Sequence, residues 1–199
     1  DYHQRLAGYC LTGVTHEQVL AFFYGAGRNG KGTLLDTLKY ILAGYYKAAA
    51  ADTFTESKSD RHKSELAVLM GARLVTASEI GQGKAWNDAR IKELTGQDTI
   101  TANFMRCDPF TFVPKFKLVI SSNNKPRFNN VDPAVRARLQ LVPFLANFET
   151  SGTKDPHMRE KLKAEAGGVL AWMIEGCGLW QQWGLRPPAS VRAATQSYL

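Results

Sequence analysis

The chain has 199 residues, of which 44% are apolar and 22% charged, and it carries a formal net charge of +7 with a pI near 9.4. The apolar fraction is that of a globular protein with a real core, and no run approaches the roughly 20 apolar residues that span a membrane. The basic balance suits a polyanionic partner, because each cation that meets a phosphate releases counterions. The first residues, Asp1-Tyr2-His3-Gln4-Arg5, lack the basic-then-apolar pattern of a signal peptide. Cys10, Cys107 and Cys177 are far apart, and His3, His16, His62 and His157 are scattered. That spacing predicts neither a disulfide framework nor a zinc site, and fits a reducing compartment.

In chain order, residues 3–10 predict a helix. Val19-Leu20-Ala21-Phe22-Phe23-Tyr24 is a continuous apolar run, the signature of a strand buried on both faces. A glycine-rich turn follows from Gly25 to Gly30, and then Leu34, Leu35, Leu38, Ile41 and Leu42 fall at helical spacing. Residues 62–70 read as another helix. Arg73-Leu74-Val75-Thr76-Ala77-Ser78-Glu79 predicts a second buried strand ending on a carboxylate. Asn87 can cap a helix running to Thr95, with Gly96 as its stop. Thr99–Met105 and Phe110–Val113 flank Arg106-Cys107-Asp108-Pro109 and predict a hairpin. Lys117–Ser122 is a third core strand leading to Asn123-Asn124. Asp132 can cap a short helix through Arg138, and Leu139–Phe144 is a fourth apolar strand. The composition shifts near residues 149–156. Beyond it Leu162, Ala166, Val169, Met173, Cys177 and Trp180 recur on one helical face, interrupted by glycines. Trp172, Trp180 and Trp183 read as packing for this helical piece. Alternating strands and helices predict an α/β fold, a mainly parallel sheet covered by helices on both sides. The expected division is a core over residues 1–148 and a small helical C-terminal piece over 149–199.

Gly25-Ala26-Gly27-Arg28-Asn29-Gly30-Lys31 fits G-x-x-x-x-G-K between a strand and a helix, the context that gives this motif meaning. Glycines let backbone N–H groups curl around phosphate oxygens, and the helix N-terminus adds partial positive charge. Lys31 can reach the β- and γ-phosphates as a point cation. The next position usually offers a Ser or Thr hydroxyl to Mg²⁺. Here it is Gly32, followed by Thr33, whose side chain is turned by roughly 100° along the helix. G-K-G-T also occurs in nucleoside monophosphate kinases, so the loop alone indicates a nucleotide and leaves the reaction open. Glu79 ends its strand where an acid could polarise water, and Asn123 ends another where a polar group could sense a γ-phosphate. Both belong to the carboxyl edge of an open α/β sheet. Arg136 and Arg138 follow as candidate transition-state cations. The kinase reading would need a lid with paired arginines, and no such segment lies between the helix after the loop and the Glu79 strand.

These motifs, in this order, resemble the superfamily 3 helicases of phage- and plasmid-type primase-helicase proteins. The resemblance is carried by Arg28-Asn29-Gly30-Lys31-Gly32-Thr33, Arg73–Glu79, Lys92–Ile100, Phe112–Leu118, Ser122-Asn123-Asn124-Lys125-Pro126 and Asp132–Leu139 leading into Val142-Pro143-Phe144. Looser similarity extends over Gly168–Trp172 and Gly184–Pro188. It implies an AAA+-like P-loop ATPase that uses ATP and Mg²⁺, assembles as a ring, expected to be a hexamer, around DNA, and works in the cytoplasm of a bacterial host. By position, Gly25, Gly27, Asn29, Gly30, Lys31, Gly32 and Thr33 bind the nucleotide. Glu79 is the acid, Asn123 the sensor and Arg138 an arginine finger supplied to the neighbouring subunit, with Arg136 the second choice. Thr33 and Glu79 are the candidate Mg²⁺ ligands, and Arg106 and Lys115, around a hairpin at residues 100–115, the candidate DNA contacts. Many relatives carry two adjacent acids where this chain has Ser78-Glu79, and Gly-Gly-Asp where it has Gly96-Gln97-Asp98. A DNA-binding initiator or loader that uses ATP only to assemble is the alternative reading.

Overall fold

A computed structural model describes residues 1–56, 62–129 and 132–199. In chain order the elements are α1 (Tyr2–Tyr9), β1 (Leu20–Tyr24), α2 (Lys31–Leu42), β2 (Tyr46–Ala48), α3 (His62–Ala67), β3 (Leu74–Ser78), α4 (Asp88–Thr95), β4 (Ile100–Ala102), β5 (Phe110–Phe112), β6 (Lys117–Ser122), α5 (Pro133–Arg138), β7 (Leu139–Pro143), α6 (Met158–Ala164), α7 (Ala166–Trp183) and α8 (Ala189–Tyr198). Five strands form one sheet in the order β2-β3-β6-β1-β7, and every pairing is parallel. β4 and β5 make a separate antiparallel pair, with Ile100 opposite Phe112.

The two-residue period of a strand divides the apolar run of β1 between two cores. Leu20 and Phe22 join one cluster with Val75, Leu118, Ile120, Leu141, Phe54, Trp86 and Ile91. Ala21 and Phe23 join the other with Leu74, Val119, Val142, Leu6, Leu38 and Met173. Burying a phenylalanine side chain contributes about 1.5–3 kcal/mol, so this central strand anchors both faces.

On the second face α1 lies against α7 at backbone distance. A Cβ on Gly8 would overlap the backbone at Gly176–Cys177, and one on Gly176 would overlap Gln4. The carbonyls beyond the end of α1 are satisfied from strand starts: Lys117 Nζ donates to Thr12 O and Oγ1, and Arg73 Nη1 to Leu11 O at 2.5 Å. On the first face, α8 seals β7, the edge strand. Thr195 Oγ1 accepts from Leu141 N at 2.8 Å, while Ala194, Tyr198 and Leu199 pack on the core. Tyr198 also accepts from Trp86 Nε1 at 2.7 Å and donates to Pro126 O.

Both expected helix caps form: Asn87 Oδ1 accepts from Arg90 N and Asp132 Oδ1 from Val135 N. Gly96 ends α4 in extended backbone, φ −74°, and not through a left-handed turn. The helix expected over 62–70 stops at Ala67. The glycines expected to interrupt the C-terminal helical face do not: α7 runs unbroken through Gly167, Gly168, Gly176 and Gly178. Trp180 is buried as expected, whereas Trp183 is 44% exposed. β2 and α8 appear where no element was expected. Among the described residues, no helix is long and apolar enough to cross a membrane.

Candidate functional site

The turn after β1 is built from a left-handed backbone at Gly27 (φ 105°), Arg28 (φ 53°) and Gly30 (φ 86°). Alternation of this kind turns successive N–H groups inward, the concavity that suits an oxyanion. Gly25 is required for a different reason: any Cβ there would overlap Asn29 Nδ2 and the Phe144 carbonyl. That close approach lets Asn29 Nδ2 donate to Phe144 O at 2.9 Å, fixing the loop to the edge strand. Phe148 N donates to Arg28 O at 3.0 Å, and Arg28 pairs with Glu149.

Lys31, the first residue of α2, is only 6% exposed. Its Nζ donates to Gly25 O at 2.7 Å, Asn29 Oδ1 at 3.1 Å and Asn123 Oδ1 at 3.2 Å. Burial pulls its pKa below the ordinary lysine value. An anion brought to this ammonium would favour the charged form again.

Strand register explains why Asn123 is there. Tyr24 pairs with Ser122, and Ser78 with Ser121. Gly25, Asn123 and Glu79 therefore leave the sheet within one residue of a common level, on its carboxyl edge. β6 lies between β1 and β3, so the backbone at Glu79 stands two strand spacings, roughly 10 Å, from that at the glycine loop. Glu79 is exposed, its φ is 63°, and its N–H donates to Ser121 O at 3.2 Å. The following residue is also held: Asn124 Nδ2 donates to Ile80 O at 2.9 Å.

A cleft of about 260 Å³ lies over the loop, lined by Gly27 to Thr33, Ser121, Asn123 and Arg159. Gly32 and Thr33 are both on its wall, and Glu79 is outside it. Arg159 comes from α6, which packs on α2, and no sequence motif pointed to it.

Arg138 is not with these groups. It precedes Leu139, which pairs with Leu20 at the start of β1, so it sits at the opposite edge of the sheet. The five-residue strand between them is about 17 Å long. Arg138 Nη1 donates to Ala134 O at 2.9 Å and Nη2 to Gln18 Oε1 at 3.0 Å, while buried Nε has no partner among the described residues. Arg136 is exposed and lines a separate hollow of about 330 Å³ between β7 and α8. Arg106, at φ 61°, is exposed in the turn between β4 and β5, beside exposed Phe104 and Met105. Lys115, also exposed, lies back from that turn with its aliphatic stem against Gly13. No group of three or more His, Cys, Asp or Glu side chains could hold a metal among the described residues.

The fold is that of the C-terminal region of NrS-1: one solved structure of that region superposes with a TM-score of 0.74 at 14% identity, over all of this chain and 47% of the other. A second form of it gives 0.71. Among curated proteins, "Putative helicase L207/L206" of Acanthamoeba polyphaga mimivirus is 29% identical over all of this chain and 22% of its own length. "Putative helicase 022R" of Frog virus 3 is 28% identical over 98% and 22%. "Primase D5" of Fowlpox virus is 25% identical over 77% and 20%. The class is thus a mixed α/β module with relatives among viral proteins named as helicases and a primase. The chain spans about a fifth of the length of those relatives, and none of the three comes from a phage or plasmid. A family model described as a family of unknown function, DUF5906, matches residues 23–137, and the chain belongs to that family.

Proposed function

We propose that this chain is the ATP-hydrolysing helicase module of a viral-type replication protein. One observation carries the reading. The Lys31 ammonium is buried at the mouth of a left-handed glycine loop and hydrogen-bonded to Asn123, with Glu79 on the same rim. The viral relatives' names support the direction of that work.

In this reading Gly25, Gly27, Asn29, Gly30, Gly32 and Thr33 frame the phosphates of ATP, and Lys31 exchanges its oxygen partners for β- and γ-phosphate oxygens. Glu79 orients the attacking water across a gap that suits a phosphate and a water between strands. Asn123, already touching Lys31, registers the γ-phosphate. Mg²⁺ keeps several waters and usually takes one or two protein oxygens besides phosphate. The Thr33 hydroxyl and the Glu79 carboxylate are the oxygens offered here, so the residues fit an ion carried largely by the nucleotide, whose charge it would neutralise.

Arg138, about 17 Å away at the other edge, cannot serve its own loop. It suits a neighbouring subunit's site, in a ring around DNA with the β4–β5 hairpin, Arg106 and Lys115 facing the strand. ATP turnover measured against protein concentration, with and without single-stranded DNA, tests this. Turnover per subunit should rise steeply with concentration and rise further with DNA. A rate per subunit independent of both would refute the shared-site reading. The alternative is a loader that uses ATP to assemble, and Gly32 and Ser78 favour it, because they stand where a hydroxyl residue after the loop lysine and the first of two adjacent acids would usually help to hold Mg²⁺. Glu79→Gln should leave a loader's DNA delivery intact and abolish a motor's unwinding.

A further inference from the structure

One wall of the cleft over the glycine loop comes from outside every motif. Arg159, in the first turn of α6, lays its guanidinium across the start of α2. Its Nη2 is 3.0 Å from Asp36 Oδ2, and would be 3.5 Å from a Cβ on Gly32. A longer side chain at position 32 would occupy the space the guanidinium uses. The missing side chain and the arginine are therefore complementary: where a hydroxyl residue would stand, this chain has bare backbone beneath a cation.

The charges of the cleft point the same way. A triphosphate brings several negative charges. Lys31 is one buried cation, and Arg28 is already paired with Glu149. Arg159 is the third cation on the cleft wall after Lys31 and Arg28, and the one that lies against Gly32. A guanidinium has five N–H donors in a planar fork, so one contact to Asp36 leaves donors for phosphate oxygens. As a structural strut the Arg159–Asp36 pair would do little, because both side chains are about half exposed, 58% and 47%, and pairs of that kind add little to stability.

We propose that Arg159 is a same-chain ligand for the terminal phosphate of a nucleoside triphosphate, and that Gly32 makes room for it. This rests on reading the cleft as a triphosphate site. Loss of the terminal phosphate then frees Arg159 to Asp36 alone, so that α6 is gripped more firmly with a triphosphate than with a diphosphate.

The test is equilibrium titration with methylanthraniloyl-ATP and methylanthraniloyl-ADP. Wild type is compared with Arg159→Ala, Asp36→Ala and Lys31→Ala. Arg159→Ala should weaken the triphosphate about ten- to hundredfold, the loss expected for a charge-assisted hydrogen bond, and the diphosphate by less than about threefold. Asp36→Ala should bind the triphosphate at least as well as wild type, since the guanidinium loses only a competitor. A misfolded variant would lose both nucleotides, so the diphosphate titration reports folding, and Arg159→Gln provides a second variant of similar bulk. The inference is overturned if Arg159→Ala and Arg159→Gln bind the triphosphate as wild type does. Equal weakening by Asp36→Ala would also overturn it, making the pair a strut. If Lys31→Ala loses both nucleotides while the Arg159 variants lose neither, only this inference falls. If wild type binds neither nucleotide, the nucleotide reading falls with it.

Discussion

Two glycines a short step apart in α7 should respond oppositely to the same substitution. A Cβ on Gly176 would lie 2.6 Å from Gln4 C and 2.8 Å from Gln4 Cγ, and closer still to the Gln4 carbonyl oxygen. Carbon atoms pack at about 3.5–4.0 Å, so α1 and α7 would have to part by about 1 Å. The two nearest obstructing atoms, Gln4 O and C, are backbone, which cannot rotate away. Overpacking of this kind costs about 1–3 kcal/mol, sometimes more, and here the upper end applies because α1 buries Tyr2, Leu6 and Tyr9 in the same contact. The helix preference for Ala over Gly returns about 1 kcal/mol. Gly176→Ala should therefore destabilise by about 2 kcal/mol, and at about 2–4 °C per kcal/mol for a chain of this size the melting temperature should fall by about 4–8 °C. Gly178 has nothing within 4 Å of its would-be Cβ. Gly178→Ala keeps only the helix gain, and should raise the melting temperature by about 2–4 °C. Thermal melts and urea titrations of the two variants beside wild type decide it. Equal shifts, or a stabilised Gly176→Ala, would refute the backbone contact between α1 and α7.

Stability should also record the buried ammonium of Lys117. Burial pulls it down from 10.5 to about 8, while burial pushes the neighbouring Cys10 thiol up from 9.0 to about 12. Above pH 8 the unfolded chain holds a proton that folded Lys117 has released, so stability rises with pH. Above pH 9 the unfolded chain loses a thiol proton that folded Cys10 keeps, which opposes the rise. Relative to Lys117→Met, wild type should gain up to about 1 kcal/mol between pH 8 and 9 in urea titrations, and a flat difference over that interval would contradict the burial. Separately, Lys31→Ala and Arg138→Ala should each abolish ATP turnover, and mixing the two proteins should restore part of it, since each damages a different half of a shared site. An absence of rescue at every mixing ratio would remove Arg138 from the finger role.

What could be read from the letters was local chemistry repeated at a readable period. Phe22 and Phe23 announced a strand buried on both sides, and Asn87 and Asp132 announced helix starts through short side chains that can reach back to a free N–H. The glycine spacing before Lys31 placed the loop, and the strand ends placed Asn123 beside it. β2 was hidden because Tyr46-Lys47-Ala48 is too short to show a period. α8 was hidden because Ala-Ser-Val-Arg-Ala-Ala-Thr-Gln-Ser-Tyr buries a narrow stripe, chiefly Val191 with Ala194 and Tyr198. The glycines of α7 looked like interruptions, yet Gly176 is what admits α1. Arg159 had no signal at all: its place in the cleft depends on α6 folding back over α2, a long-range contact that no local pattern encodes. The two strand spacings between Glu79 and the loop, and the hydrogen bonds that hold Arg138 at the far edge, likewise come from strand order and not from spacing along the chain.

The central position of β1 has a bearing on how the molecule comes into being. Leu20–Tyr24 finds its neighbours only in Lys117–Ser122 and Leu139–Pro143, and α1 waits still longer for α7. At synthesis rates of about 5–20 residues per second, these first phenylalanines emerge roughly 5–20 s ahead of the strand that flanks them. A nascent chain must spend that interval with its stickiest segment uncovered, so productive yield should depend on what shelters the ribosome exit during it.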